Sequence, residues 1–319
     1  MKYRHLGKSG LQLSELSLGS WLTFNDKSAV DDTAAMMAAA YDAGVNFFDN
    51  AEGYAGGRAE EIMGAALAQL DWHRGSYLVS TKLFWGLHKG PNMENTLNRK
   101  YLLEAIEGSL ERLQLEYVDL LFCHRPDKTT PIEETVWAMH NIIERGQALY
   151  WGTSEWEAVD ILAAIETAER HHLHKPVVEQ PIYNLFDRHR FGAAYRPVYE
   201  EQGYGSTTFS PLASGMLTGK YLQGIPEGSR GASYDFDWLK YELTNADRLR
   251  RTTALVPIAE AMGATLAQFS LAWCLQNPWV TTVMTGASRV EQVEENMRAI
   301  EFVDEFTPEV MAQIARVFR

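Results

Sequence analysis

The chain has 319 residues, 46% hydrophobic and 22% charged, the proportions of a water-soluble globular protein with material for a large core. Its formal net charge of −13 argues against nucleic acid and anionic membrane surfaces as main partners, while leaving small anionic ligands to local basic groups. The two cysteines, Cys123 and Cys274, lie inside apolar runs and read as buried thiols in a reducing compartment. The start "MKYRHLGKSG" carries no apolar leader, and no run reaches the roughly 18 apolar residues of a membrane helix. A cytoplasmic protein without direct membrane insertion is expected.

The elements alternate along the chain. "YRHLGKSGLQLSELSLGSW" predicts a small hairpin around the turn signal "GKSG", then a first buried strand near Leu16 to Trp21. "DDTAAMMAAAYDAG" predicts a helix, with acidic residues in its first turn and Gly44 at its end. Strand and helix then follow in turn: "VNFFDN", "RAEEIMGAALAQL", "YLVSTK", "RKYLLEAIEGSLERL", "YVDLLFCH", "PIEETVWAMHNIIERG", "ALYWGTS", "AVDILAAIETAERH" and "PVVEQPIYN". A helix kinked near Pro197 precedes the strand-to-loop segment "GSTTFSPLASG", and "TLAQFSLAWCLQN", "VTTVMTGAS" and "VEQVEENMRAI" read as helix, strand and helix. Met216 to Arg251 reads as a long loop over one face, and Pro308 to Phe318 as an extra terminal helix.

Eight strands, each followed by a helix, predict an α/β protein with a parallel sheet. At this length a single (β/α)8 TIM barrel over residues 1–319, with an N-terminal β-hairpin and a C-terminal extra helix, is favoured over an open doubly wound sheet. The open-sheet rival usually carries a G-x-G-x-x-G turn when it binds dinucleotides, and the chain has none.

In such a barrel the reacting groups come from the C-terminal ends of the strands. Three consecutive strands end in Asp49, Lys82 and His124, and Tyr54 follows in the loop after Asp49. Taken singly, each has an ordinary structural use as turn cap, solvated cation or packed ring. Together they make chemical sense. A phenol with a pKa near ~10 is a weak acid at neutral pH, an ammonium beside it lowers that pKa, and a buried ammonium needs a counter-charge. Asp49, Lys82 and Tyr54 therefore read as a tuned general acid, with His124 able to donate to a neighbouring oxygen. The sequence offers no nucleophile, metal cluster or carboxylate pair beside them, so the chemistry needs a cofactor, and hydride transfer fits.

At these residues the chain resembles the aldo-keto reductase family over nearly its whole length, most closely the branch of potassium-channel β subunits and their bacterial relatives. The resemblance rests on "LGKSGLQLSELSLGSW", "DAGVNFFDNAEGYAGGRAEEIMG", "STKLFWG", "RKYLLEAIEGSLERLQLEYVDLLFCHRPD", "PIEETVWAMHNIIERGQALYWGTSEW", "FSPLASGMLTGKY" and "TGASRVEQVEENM" taken together. It implies a TIM barrel that binds NADPH without a Rossmann motif, and it places the family tetrad on Asp49, Tyr54, Lys82 and His124. In that mechanism Tyr54 protonates the carbonyl oxygen, Lys82 and Asp49 tune it, His124 orients the substrate, and hydride comes from the nicotinamide. Channel β subunits carry asparagine where this chain has His124.

The resemblance also implies cofactor contacts. Ser20 and Trp21 fall by the nicotinamide, Ser154 and Gln180 on its carboxamide, and Phe209 against its ring. Ser210, Pro211, Leu212 and Ser214 fall on the pyrophosphate, with Lys220 and Arg230 supplying positive charge. Gly286, Ser288, Arg289, Gln292, Glu295 and Asn296 match the adenosine end, where Ser288 and Arg289 would favour a 2′-phosphate. The channel branch has arginine where this chain has Glu155. Trp21, Phe84 and Trp85 form either an aromatic wall of the substrate pocket or packing within the loops. Tyr234 to Tyr241 either closes over the site or contacts another subunit. The expected function is NADPH-dependent reduction of aldehydes or ketones. The alternative is an NADPH-binding regulatory subunit with slow turnover. A small carbonyl substrate and a homo-oligomer, tetramer or higher, are the expected partners.

Overall fold

The computed structural model describes residues 1–21, 24, 29–233 and 237–319, with the side chains of Arg230 and Ser233 outside the described set. A hairpin of β1 (Tyr3–His5) and β2 (Gln12–Ser14) opens the chain. Eight parallel strands then close into a barrel: β3 (Leu16–Gly19), β4 (Phe47–Asp49), β5 (Leu78–Leu83), β6 (Val118–Cys123), β7 (Ala148–Ser154), β8 (Val178–Gln180), β9 (Gly205–Thr208) and β10 (Thr282–Thr285), with β10 pairing back onto β3. The (β/α)8 barrel, the hairpin and the terminal helix are therefore as the sequence predicts.

Helices α1 (Val30–Asp42), α2 (Arg58–Leu70), α3 (Arg99–Leu113), α4 (Ile132–Glu144) and α5 (Ala158–Arg170) follow β3 to β7 in turn. Beyond β8 the regular alternation ends. The helix predicted around Pro197 is instead two short 3₁₀ turns and a π-helical turn, Pro197–Glu201. The predicted long loop from Met216 to Arg251 is largely helical, with α6 (Arg230–Ser233), α7 (Asp237–Thr244) and the start of α8 (Ala246–Ala261). Asn245 caps α8 by accepting from the backbone N–H groups of Asp247 and Arg248, a start signal masked in the sequence by the surrounding charges. Then come α9 (Leu266–Cys274), α10 (Val290–Met297) and α11 (Pro308–Val317), which packs on α8. No single helix among the described residues is long and apolar enough to cross a membrane.

Strand alternation sorts side chains between two cores. Phe48, Val79, Leu121 and Cys123 face outward into the large layer between barrel and helices. Phe47, Leu120, Phe122, Val178 and Met284 face inward and meet Leu6 and Leu13 of the hairpin, which plugs the barrel where its strands begin. Two residues further along the same inward rows stand Asp49, His124 and Gln180. The interior is thus apolar at its closed end and polar where the strands finish.

The outer layer is closely packed at Gly64 of α2. A Cβ there would lie 2.6 Å from backbone atoms of Leu113 at the end of α3. Helix propensity alone makes Gly64→Ala stabilising by about 1 kcal/mol. The clash reverses the sign, and we expect a loss of ~1–3 kcal/mol, read from denaturant unfolding midpoints against wild type.

Candidate active site

The C-terminal ends of all eight barrel strands carry a residue singled out by the sequence: Ser20 and Trp21 after β3, Asp49 on β4, Lys82 on β5, His124 after β6, Ser154 on β7, Gln180 on β8, Phe209 after β9 and Gly286 after β10. Asp49, Lys82, His124, Ser20, Ser154 and Gln180 are buried.

Lys82 is the centre of the group. Its side chain is 0% exposed. Each of its three ammonium hydrogens has an acceptor: Asp49 Oδ2 at 2.5 Å, the Asn50 carbonyl at 2.8 Å and the Tyr54 hydroxyl at 3.1 Å. Asp49 is held in turn by Ser80 Oγ, which donates to Oδ1 at 2.6 Å, and by Gln180 Nε2 at 3.1 Å. Since Lys82 donates to the Tyr54 oxygen, the phenolic proton is left to point elsewhere.

Tyr54 reaches the ammonium because the chain after it turns back sharply. Ala55, Gly56 and Gly57 all adopt positive φ, at 49°, 62° and 93°. Two glycines take this backbone without a Cβ penalty, and Ala55 bears it as local strain. The His124 ring meets Tyr54 edge-on at 5.7 Å between centroids, and Trp85 meets His124 at 6.0 Å.

The electrostatics differ from the sequence expectation in one respect. Burial pushes the Tyr54 pKa up, and Lys82 draws it only part of the way back, so the phenol is a weaker acid than free tyrosine rather than a stronger one. For Lys82 burial acts downward but is outweighed by Asp49 and Tyr54, so its pKa is raised and the ammonium stays charged. Burial, with Lys82 and Arg125 adding to it, drives His124 well below its ordinary range, which keeps the imidazole neutral. The arrangement holds a protonated phenol, a neutral imidazole and a fixed cation around one point, a geometry suited to receiving negative charge on an oxygen.

A sequence profile described as the aldo/keto reductase family matches residues 15–319. The chain belongs to the aldo/keto reductase family. Among its relatives are a probable voltage-gated potassium channel subunit beta of Oryza sativa subsp. japonica, 51% identical over 318 residues that cover 99% of this chain and 96% of the relative. One of the same description from Arabidopsis thaliana is 49% identical over 320 residues, covering 100% and 97%.

The other residues expected of an aldo/keto reductase fall into three groups. Ser154 and Gln180 join the tetrad: Ser154 Oγ donates to the Gln180 carbonyl at 3.0 Å, and the Gln180 amide reaches Asp49. Among the described residues, Ser20 Oγ and His124 Nδ1 are buried and find no hydrogen-bond partner. Ser210, Ala213 and Ser214 carry positive φ of 54°, 47° and 58°, three strained non-glycine residues in one turn around Pro211 and Leu212. Lys220 approaches this turn, since a Cβ on Gly215 would lie 3.4 Å from its ammonium. At the far end Ser288 Oγ and backbone N–H both donate to Gln292 Oε1, and Asn296 Nδ2 donates to the Gly286 carbonyl at 3.5 Å. Glu295 is exposed and gives its carbonyl to Gln268, while Arg289 pairs with Glu291 at 3.5 Å and is mostly solvated. The Arg230 side chain and Tyr234 to Phe236 lie outside the described residues.

Of the aromatic residues, Phe84 is buried and meets Trp85 edge-on at 4.9 Å, while Trp85 is exposed beside His124. Trp21 stacks instead on Trp238 of α7, centroids 6.4 Å apart. Glu155 turns away from Ser154: its Oε1 accepts from the Ile182 N–H at 2.7 Å and its Oε2 lies 3.7 Å from Arg190.

Sequence reasoning missed four supports. Ser80 stands two residues before Lys82 on the same inward row, a spacing that could have flagged it. Asn50 supplies a carbonyl, which no side-chain pattern reports. Glu52 fixes the loop after β5 by accepting from the N–H groups of Phe84 and Gly86, and it also bonds the Tyr101 hydroxyl. Arg125 donates to the His124 carbonyl at 2.5 Å and to Ser154 Oγ at 3.3 Å, tying two strand ends together.

Removing the Lys82 charge strands Asp49 in the barrel. We expect Lys82→Met to cost ~3–5 kcal/mol of stability at neutral pH, and the double variant with Asp49→Asn to recover part of it. Urea unfolding of the single and double variants measures both; a single-variant loss below ~1 kcal/mol would show that the pair is not needed by the fold.

Proposed function

We propose that this protein reduces aldehydes or ketones to alcohols with NADPH, using Tyr54 as the general acid. The observation that carries the reading is the saturated Lys82 ammonium, which donates to the Tyr54 oxygen and so leaves the phenolic proton for a substrate oxygen. Ser154, Gln180, Phe209, the 210–214 turn, Lys220 and the 286–296 segment would hold NADPH, which would supply hydride when bound. Tyr54 gives a proton to the carbonyl oxygen as negative charge grows there. His124, neutral, donates a second hydrogen bond to the same oxygen, and Lys82 stabilises the phenolate left behind. Asp49 keeps Lys82 charged and in place. Trp85, with Phe84 behind it, forms the apolar side on which a carbonyl substrate rests.

The second reading is a regulatory subunit that binds NADPH and turns over slowly. It is favoured by the relatives, described as probable voltage-gated potassium channel beta subunits. His124, which stands at the Tyr54 ring as a neutral imidazole, favours the reductase. For either reading, the family match supports a nicotinamide cofactor in general, and the preference for NADPH over NADH rests on Ser288 and Arg289.

Two measurements decide. Steady-state oxidation of NADPH with an aromatic aldehyde should fall at least ~100-fold in Tyr54→Phe while cofactor affinity is kept, the scale of lost general acid catalysis. Equal rates would sink the assignment of Tyr54, and a wild type that binds NADPH tightly but turns over negligibly would favour the regulatory reading. The pH profile gives a second check. His124 is held neutral and Tyr54 protonated, so kcat/KM should be flat between about pH 6 and 8, with no inflection near the ordinary histidine value of ~6.5. Activity should decline only in strongly alkaline solution, above the ~10 of free tyrosine.

A further inference from the structure

A separate cluster lies on the outer wall, at the end of the barrel where the strands begin. Helix α4 carries Glu133, Trp137, His140 and Glu144 at spacings that form one stripe of a helix, and Glu144 is its last residue. The connection from α5 to β8 brings His174 against the end of that stripe. Its position is fixed from the core. The indole N–H of buried Trp151 donates to the His174 carbonyl at 2.8 Å, Val177 N–H donates to the Trp151 carbonyl at 2.9 Å, and Leu173 N–H closes the end of α5 on the Ala168 carbonyl at 2.8 Å. His174 Nε2 stands 2.9 Å from Glu144 Oε1, and the His140 and His174 rings are 5.1 Å apart between centroids. One ligating atom from each of His140, Glu144 and His174 lies within 4.8 Å of the other two. His140 and His174 are 34 positions apart and on different elements, so no local spacing marks the cluster in the sequence.

Two imidazoles and one carboxylate make a borderline donor set, the kind that takes zinc and its neighbours rather than calcium or magnesium. Around a tetrahedral ion with bonds of about 2.0–2.2 Å, neighbouring donors stand about 3.4 Å apart, so small rotations of half-exposed side chains close this set. We propose that His140, Glu144 and His174 bind a divalent cation of the zinc class, with solvent in the fourth position. The ion fastens α4 to the α5–β8 connection. The beginning of the strands is the end of a (β/α)8 barrel where residues serve stability rather than chemistry, which suits a structural ion. Trp137 meets His140 edge-on and lies near His171, each at 5.8 Å between centroids, so it reports on the site.

The test uses the full-length protein, freed of metal with a chelator and titrated with Zn²⁺ alone by calorimetry. We expect one equivalent to bind with an affinity of about micromolar or tighter and to raise the thermal unfolding midpoint, because the ion binds only the folded chain. His140→Ala and His174→Ala should each weaken binding at least ~10-fold and remove the rise in midpoint. His189→Ala, at an exposed histidine elsewhere, should change neither. Ni²⁺ should quench tryptophan fluorescence in wild type and not in Trp137→Phe, with nickel affinity kept in the variant. Affinity weaker than millimolar overturns the proposal, as does unchanged affinity in the His140→Ala, His174→Ala double variant. Binding with no rise in the midpoint overturns the fastening role. The substituted side chains lie on the outer wall, so the variants are expected to fold.

Discussion

A fully buried ammonium is the constraint from which the rest of the active face follows. Lys82 lies inside a closed barrel, where the effective penalty for an unpaired ion is several kcal/mol. One carboxylate does not remove it: at a charge separation of about 4 Å and an effective dielectric near 20, the attraction is ~4 kcal/mol, against penalties borne by both ions. The remaining acceptors and donors complete the balance. The Asn50 carbonyl and the Tyr54 hydroxyl saturate the ammonium, while Ser80 and Gln180 saturate the carboxylate. These groups come from β4, β5 and β8 and from a loop with three successive left-handed residues. Neutralising one lysine therefore requires the strands in register, the barrel closed across β8 and the Tyr54 loop folded back. The fold and the site are specified by the same contacts.

That dependence explains what was legible in the sequence. An inward row that changes from Phe47 to Asp49, or from Phe122 to His124, is a two-residue pattern at the end of an apolar run, and such patterns survive in sequence because strand alternation is strict. Asp49, Lys82 and His124 could be assigned to one point without coordinates for that reason. The parts that were not legible depend on geometry rather than pattern. The segment after β9 looks like a loop because Gly, Asp and Tyr dominate it, yet α7 and α8 form there once Leu239, Leu243 and Leu255 find apolar partners. Tertiary packing overrides weak local preference in such a segment. The direction of the Tyr54 shift is not legible for a related reason: the sequence names the charged neighbour, whereas burial, the larger effect, belongs to the whole barrel.

Ten non-glycine residues among those described have positive φ; Asp71 and Gln114 end helices, and Asn92, Asn95 and His172 lie in connections. The other five stand at the active face, Ala55 beside Tyr54, Glu155 after Ser154, and Ser210, Ala213 and Ser214. Each costs of order 1–3 kcal/mol and persists only because the surroundings over-determine it. Glu155 illustrates how. Its carboxylate accepts from the Ile182 N–H and approaches Arg190, so it braces the exit of β8. Gln180, the last residue of that strand, donates to Asp49, so the brace supports the charge network.

The same network bears on the choice between the two functional readings. A module that only binds a dinucleotide needs backbone turns, a few hydroxyls and surface cations, all of which the 210–220 and 286–296 segments offer. It has no use for a buried ammonium under a phenol, which adds nothing to recognition and burdens folding. Burial also raises the phenol's pKa, so the proton is held firmly in the resting state and released only when a stronger base, a carbonyl oxygen becoming an alkoxide, forms beside it. Lys82 is placed to favour the phenolate at that moment, and its effect is greatest where water is absent. A charge pair whose benefit appears only when an oxyanion forms is an expenditure that chemistry explains and binding does not. The proposed reductase therefore accounts for more of the structure than a silent relative of a channel subunit would.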